Sequence, residues 1–162
     1  MNLDKLKTHM DNMRSGVPML EYYVHKYNDI IILGNGGSNA VASHISQDYT
    51  KKLGKKAITF SDSSRLTCYI NDYGMENAYS QFVKEFATEK TLVILISSSG
   101  NSDNIVNAAK TANEIGCPLI TMSGFKKDNK LNQIESIMNY WVDSEDYGEV
   151  ELSHEIFLHT IC

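Results

Sequence analysis

Two stretches of the chain are almost unbroken aliphatic runs, Asp29-Ile30-Ile31-Ile32-Leu33-Gly34 and Thr91-Leu92-Val93-Ile94-Leu95-Ile96-Ser97, and each leads into a turn rich in Gly, Ser and Asn. A strand with one face in water alternates apolar and polar residues. An unbroken run instead fits a strand covered on both faces, the condition of a parallel sheet held between two helical layers. Lys56–Phe60, Pro118–Met122 and Ile137–Val142 are weaker β-rich segments that bring the expected strands to five. The intervals between them are long enough for crossover helices, so the pattern predicts an α/β fold, a five-stranded parallel doubly wound sheet flanked by helices.

The clearest helix opens at Ser102-Asp103-Asn104, carries Ile105, Ala108, Ala109, Ala112 and Ile115 at helical spacing, and is closed by Gly116 and Pro118. Further helices are expected over residues 3–15, 17–26, 37–53, 63–70, 76–87 and 148–162. With 162 residues and no linker, charge block or internal repeat, residues 1–162 read as a single domain. Residues 1–28 carry Leu3, Leu6, Met10, Met13, Leu20, Tyr23 and Val24, more apolar side chains than one flank of a small sheet needs. These N-terminal helices are therefore predicted to pack at a subunit interface.

Composition narrows the chemistry. Hydrophobic residues at 42% and charged residues at 22% are ordinary globular usage and exclude a disordered chain. Fifteen Lys+Arg against twenty Asp+Glu leave a net charge of -5, the wrong sign for binding nucleic-acid phosphate or an anionic membrane, so neither partner is expected. A phosphate group would have to be held by local geometry. The N-terminal residues are polar and no run approaches the ~20 apolar residues of a membrane span, which predicts a cytoplasmic protein. Cys68, Cys117 and Cys162 form no CxxC pair and suggest neither a disulfide framework nor a thiolate zinc site.

Gly34-Asn35-Gly36-Gly37-Ser38 follows the first strand and opens a helix, a place where glycine permits close backbone approach and free N–H groups favour an anion. Asn39 stands where GxGxxG needs its third glycine, so the dinucleotide fingerprint is incomplete. The third strand leads into Ser97-Ser98-Ser99-Gly100-Asn101-Ser102 and again into a helix. Hydroxyl and backbone donors at a helix N-terminus can hold a phosphoryl group without Lys or Arg, whereas an N-cap needs only one or two of these serines. His44 and Asp48 lie i, i+4 on one helix, and Glu151, Glu155 and His159 lie i, i+4 and i+8 on another. Each set alone matches a solvated i, i+4 ion pair; together they can supply a four-ligand N/O site for zinc or a similar divalent ion.

These residues, taken with Ser61-Asp62, Asn71-Asp72-Tyr73-Gly74 and the final helical His159, resemble the sugar isomerase (SIS) domain proteins, and within them the phosphoheptose isomerases. The likeness spans nearly the whole chain. It implies an SIS-type, flavodoxin-like fold and a homotetramer with sites built between subunits. It also implies a sugar phosphate substrate, with Asn35, Gly36, Gly37, Ser38, Asn71 and Asp72 against the sugar and Ser97, Ser98, Ser99 and Ser102 on its phosphate. His44, Asp48, Glu151 and His159 match the metal positions, with zinc as the expected ion, and Asp48 and Glu151 also touch substrate.

The implied reaction is aldose–ketose isomerisation of sedoheptulose 7-phosphate or a close relative through a cis-enediol, with Asp48 as base and His159 as acid. Two positions depart from the family pattern: Asp48 stands where a glutamate is usual, and Glu151 where a glutamine is usual. The set keeps two imidazoles and two carboxylates with a shorter reach and one extra negative charge. The rival reading is a non-catalytic, phosphosugar-binding regulatory or protein-interaction module of the same family, forms that have lost the metal and base residues.

Overall fold

The computed structural model describes residues 1–162. Two N-terminal helices, α1 (Leu3–Met13) and α2 (Val17–Lys26), precede β1 (Asp29–Gly34), α3 (Gly37–Leu53) and β2 (Lys56–Thr59). Helices α4 (Ser63–Tyr73) and α5 (Ala78–Phe86) lead to β3 (Thr91–Ser97), α6 (Asp103–Ile115) and β4 (Leu119–Ser123). After a 3₁₀ turn at Leu131–Gln133 come β5 (Met138–Trp141) and α7 (Tyr147–His159). The strands form one sheet in the order β2-β1-β3-β4-β5, and every neighbouring pair is parallel. The expected α/β architecture is the one observed.

The unbroken runs of β1 and β3 are buried on both faces because each face carries its own core. Ile30 and Ile32 of β1 and Leu92, Ile94 and Ile96 of β3 point to one side, where Leu20, Val24, Ala42, Ile45, Tyr49, Phe157 and Leu158 cover them from α2, α3 and α7. Ile31, Leu33, Val93 and Leu95 point to the other side, under Phe60 and the Tyr79, Phe82, Val83, Ile105, Ala108 and Ala112 side chains of α5 and α6. Each large aliphatic or aromatic residue so buried contributes about 1.5–3 kcal/mol. The pairing of β1 with β3 sets Gly34 beside Ile96, so the glycine turn and the serine turn open next to each other at the carboxyl edge of the sheet. The strand order reverses at this point, and open α/β sheets bind ligands in the crevice it creates.

Helix limits depart from expectation at four places, the first being α1, which closes at Met13 rather than 15. Asp62 starts α4 by accepting from the Arg65 N–H at 2.8 Å, and the helix runs on to Tyr73 instead of ending at 70, because no glycine interrupts it before Gly74. Helix α5 begins at Ala78 rather than 76. Helix α7 ends at His159 and does not continue to 162: the Thr160 N–H and hydroxyl both donate to the Phe157 carbonyl, drawing the chain into a tighter turn. No helix is long and apolar enough to cross a membrane.

Candidate active site

The chain leaves β1 through Gly34 and Asn35 and enters α3 at Gly37. Gly36 has φ 53, a left-handed value that favours glycine, and supplies no side-chain cap, so the first N–H groups of α3 have no side-chain acceptor from that position. Asn35 is fixed by a reciprocal amide pair with Asn104 on α6, each Nδ2 donating to the other Oδ1 at 2.9 Å. This aims the Asn35 side chain across the crevice and ties the two turns together.

The serine turn leaves β3 with Ser97 and Ser98 buried. The Ser97 hydroxyl donates to Ser102 Oγ at 3.2 Å, while the buried Ser98 Oγ has no hydrogen-bond partner. A buried hydroxyl without a partner costs about 1–3 kcal/mol, a state shared by Thr59 Oγ1, His9 Nε2 and His154 Nδ1 elsewhere in the chain. Ser102 occupies the N-cap of α6, yet its side chain makes no capping bond, unlike Asp62 and Asp146 at their helices. The turn is braced from behind. Gly124 N–H donates to Ser98 O at 2.9 Å and Leu131 N–H to Gly100 O at 2.8 Å, while the buried Asn129 amide packs where a Cβ on Gly100 would stand.

Between the turns lies a cleft of about 250 Å³ lined by Asn35, Gly36, Gly37, Ser38, Ser97, Ser98, Ser99, Ser102, Tyr147 and Glu151. It contains no Lys or Arg, so its anion affinity rests on hydroxyls and on the N-terminal ends of α3 and α6. The Glu151 carboxylate lies against the Gly37 Cα, in space that any side chain at 37 would occupy. Burial pushes its pKa up. A second groove, lined by Gly37, His44, Glu151 and Glu155 among others, continues from this cleft along α3 and α7.

Helices α3 and α7 pack against each other and bring three expected ligands together. His44 Nε2 and His159 Nδ1 each lie 3.6 Å from Asp48 Oδ2, and the two imidazole rings meet edge to face with centroids 5.0 Å apart. One ligand atom from each residue lies within 4.8 Å of the others. Ligands about 2.0–2.2 Å from a tetrahedral zinc stand roughly 3.4 Å from one another, so this donor set fits such an ion. Glu155 Oε1 stands 3.9 Å from His159 Nε2, on the far side of the ring from Asp48. Lys52 Nζ lies 2.8 Å from the same Asp48 oxygen. Its hydrogen bond is the main influence that lowers the Asp48 pKa, opposed by burial and assisted by the charges of Lys52, His44 and His159.

Not every residue singled out in the sequence arrives here. Glu151 stands at the junction of cleft and groove and is not grouped with the other three metal donors. Asn71 and Asp72 sit on α4, a helix with no buried residue, where the Asn71 amide donates to Asp72 Oδ1 at 2.9 Å, away from the cleft lining. Asn104, Tyr147 and Lys52 belong to the site without having been singled out. Only Lys52 left a direct signal, its i, i+4 spacing from Asp48 on α3.

The α/β domain thus carries, at its switch point, a serine- and glycine-lined cleft without Lys or Arg beside an imidazole and carboxylate cluster. The model of the SIS domain matches residues 2–124, and the chain belongs to that family. It is 38% identical over 141 residues to a phosphoheptose isomerase of Aliarcobacter butzleri, covering 83% of this chain and 74% of the relative. Identity to the phosphoheptose isomerase of Campylobacter concisus is 35% over 140 residues, covering 82% and 72% of the two chains. The solved phosphoheptose isomerase of Neisseria gonorrhoeae superposes with a TM-score of 0.90 at 23% identity over 99% of this chain and 91% of the other, a likeness of fold.

Proposed function

We propose that this chain is an aldose–ketose isomerase acting on a sugar phosphate, sedoheptulose 7-phosphate or a closely related one. The observation that carries the reading is a cleft lined by Ser97, Ser98, Ser99 and Ser102, with no Lys or Arg, that continues into the groove beside His44. A phosphate end and a reacting end are thereby given separate places along one path. The phosphoheptose isomerase relatives support an enzyme over a regulatory module, as does the presence of both histidines and both carboxylates.

Ser97, Ser98, Ser99 and Ser102 hold the phosphate with the N-terminal N–H groups of α6. Asn35, the Gly36 and Gly37 backbone, Ser38 and Glu151 meet the sugar hydroxyls, and Asn71 and Asp72 reach the substrate from a neighbouring subunit of a homotetramer. Asp48 takes the proton from the carbon beside the carbonyl, and His159 gives a proton to the carbonyl oxygen. The enediol then returns to a carbonyl at the neighbouring carbon as Asp48 delivers its proton to the former carbonyl carbon and His159 recovers one from oxygen. With no ion bound, pairing with Lys52 keeps Asp48 ionised. His44, Asp48 and His159 would hold a divalent ion, zinc by its N/O donor set, with Glu151 reaching from across the groove. Such an ion would supply polarisation of the carbonyl and stabilise charge developing on its oxygen.

The test is turnover of sedoheptulose 7-phosphate followed by NMR in D₂O, which reads both product and exchange of the transferred proton. Asp48→Asn is expected to lose about 100-fold or more in rate, the scale of acid–base catalysis, while still binding the sugar phosphate. Tight binding by the parent chain with neither turnover nor deuterium exchange would make it a phosphosugar-binding regulatory module.

A further inference from the structure

A single oxygen, Asp48 Oδ2, is surrounded by three nitrogenous groups: Lys52 Nζ at 2.8 Å and His44 Nε2 and His159 Nδ1 at 3.6 Å each. Glu155 faces the opposite side of His159, Glu151 lines the adjoining groove with His44, and the Cys162 thiol lies close enough to interact with Asp48 and Lys52. The Asp48 side chain is 10% exposed, whereas that of Lys52 is 52% exposed and hangs on a flexible stem from the same face of α3. Lys52 therefore already neutralises the carboxylate that a metal ion would use.

An ion bonded about 2.1 Å from Asp48 Oδ2 would lie no farther from the present ammonium position than the sum of that bond and the 2.8 Å contact, roughly 5 Å. A dication and an ammonium at that range repel, so Lys52 must swing out to water as the ion enters. The exchange is uneven across metals. Zn²⁺ and Co²⁺ gain two imidazole nitrogens as well as the carboxylate, while Mg²⁺ and Ca²⁺ prefer oxygen and gain little beyond the carboxylate that the lysine already satisfies.

We propose that Lys52 is a built-in competing cation of this metal site: its displacement costs every divalent ion alike, so ions that also gain the two imidazoles still bind while oxygen-seeking ones fall below measurable binding. The proposal rests on the reading of His44, Asp48 and His159 as metal ligands, and it concerns a residue outside that set. Lys52 also holds Asp48 in place when no ion is bound, so the site does not need metal to keep its shape.

The experiment titrates Co²⁺ into the full chain, reading its visible absorption, and repeats the titration with Zn²⁺, Mg²⁺ and Ca²⁺ by calorimetry. Lys52→Met, which keeps the stem and removes the charge, is expected to bind Co²⁺ and Zn²⁺ about tenfold more tightly or better, and to acquire measurable Mg²⁺ binding. Lys52→Arg should stay within about threefold of the parent because the charge is kept. Lys52→Gln provides the same reading should the methionine variant fold poorly. Equal Co²⁺ affinity in parent, Lys52→Met and Lys52→Gln, with binding abolished by His159→Ala, would overturn the role of Lys52 and leave the metal site standing. Absence of Co²⁺ binding in the parent and in both neutral variants would overturn the metal reading, and this proposal with it.

Discussion

At Gly34 an added Cβ would stand 2.6–2.7 Å from the backbone and Cβ of Ser38, while at Gly37 it would meet only the carboxylate end of Glu151. Backbone in the first turn of α3 cannot yield, but a glutamate side chain can. Gly34→Ala should therefore destabilise the fold by about 1–3 kcal/mol, the scale of forced overpacking. Gly37→Ala should melt near the parent temperature, since alanine suits a helix better than glycine, yet lose about tenfold or more in kcat/KM as Glu151 is pushed out of the cleft. Melting curves and kinetics on the two variants separate these effects; equal losses of stability would show that Glu151 is rigidly fixed. The turn residues Asn35, Gly36 and Ser97 to Ser102 were legible in the sequence because a turn's chemistry is local. Asn104 and Tyr147 were not, because each matters through what stands across from it: Asn35 in one case, the open cleft in the other.

Helix α7 carries Glu151 and His159 and is pinned to the sheet by a buried polar contact. His154 is fully buried, its Nε2–H donating to the Ser123 carbonyl at 3.1 Å while Nδ1 has no partner. Burial lowers its pKa to about 4. In the unfolded chain the same imidazole titrates near 6.5, so between about 6.5 and 4 the unfolded state binds the extra proton. Stability from this group is complete above pH 6.5 and declines as pH falls through that window, by about 3 kcal/mol in all. Urea unfolding at pH 7 and pH 5 should show most of this loss, and His154→Gln, which can still donate to Ser123, should flatten it. An unchanged slope in that variant would mean that folding does not alter the protonation of His154. The interval of α7 was legible from its carboxylate and imidazole spacing, but its ends were set by Asp146 and by the Thr160 hydroxyl, small capping effects that spacing does not reveal.

Taken as a whole molecule, the monomer leaves much apolar surface uncovered. Of the side chains expected at a subunit interface, Met13, Leu20 and Val24 are instead buried in this chain's own core, where they cover the sheet. Leu3 and Met10, with Met19 and Tyr22, are 70%, 42%, 48% and 58% exposed, and α4 buries nothing while carrying Asn71 and Asp72. These features suit a homo-oligomer in which one subunit's α4 completes another's cleft. Sedimentation should give a tetrameric mass, and Met19→Glu combined with Tyr22→Glu should lower both the mass and the activity. A fully active monomer would sink the shared site. By itself the sequence determined the sheet, the two helical layers and the two turns at its edge, because strand burial, helix spacing and turn chemistry are written in neighbouring residues. Only the tertiary structure decided that α3 and α7 meet, so that His44, Asp48 and His159 share one oxygen with Lys52 while Glu151 stands apart over Gly37. Helical spacing says which residues share a face, and the rotation and docking of two helices far apart in the chain say which faces meet.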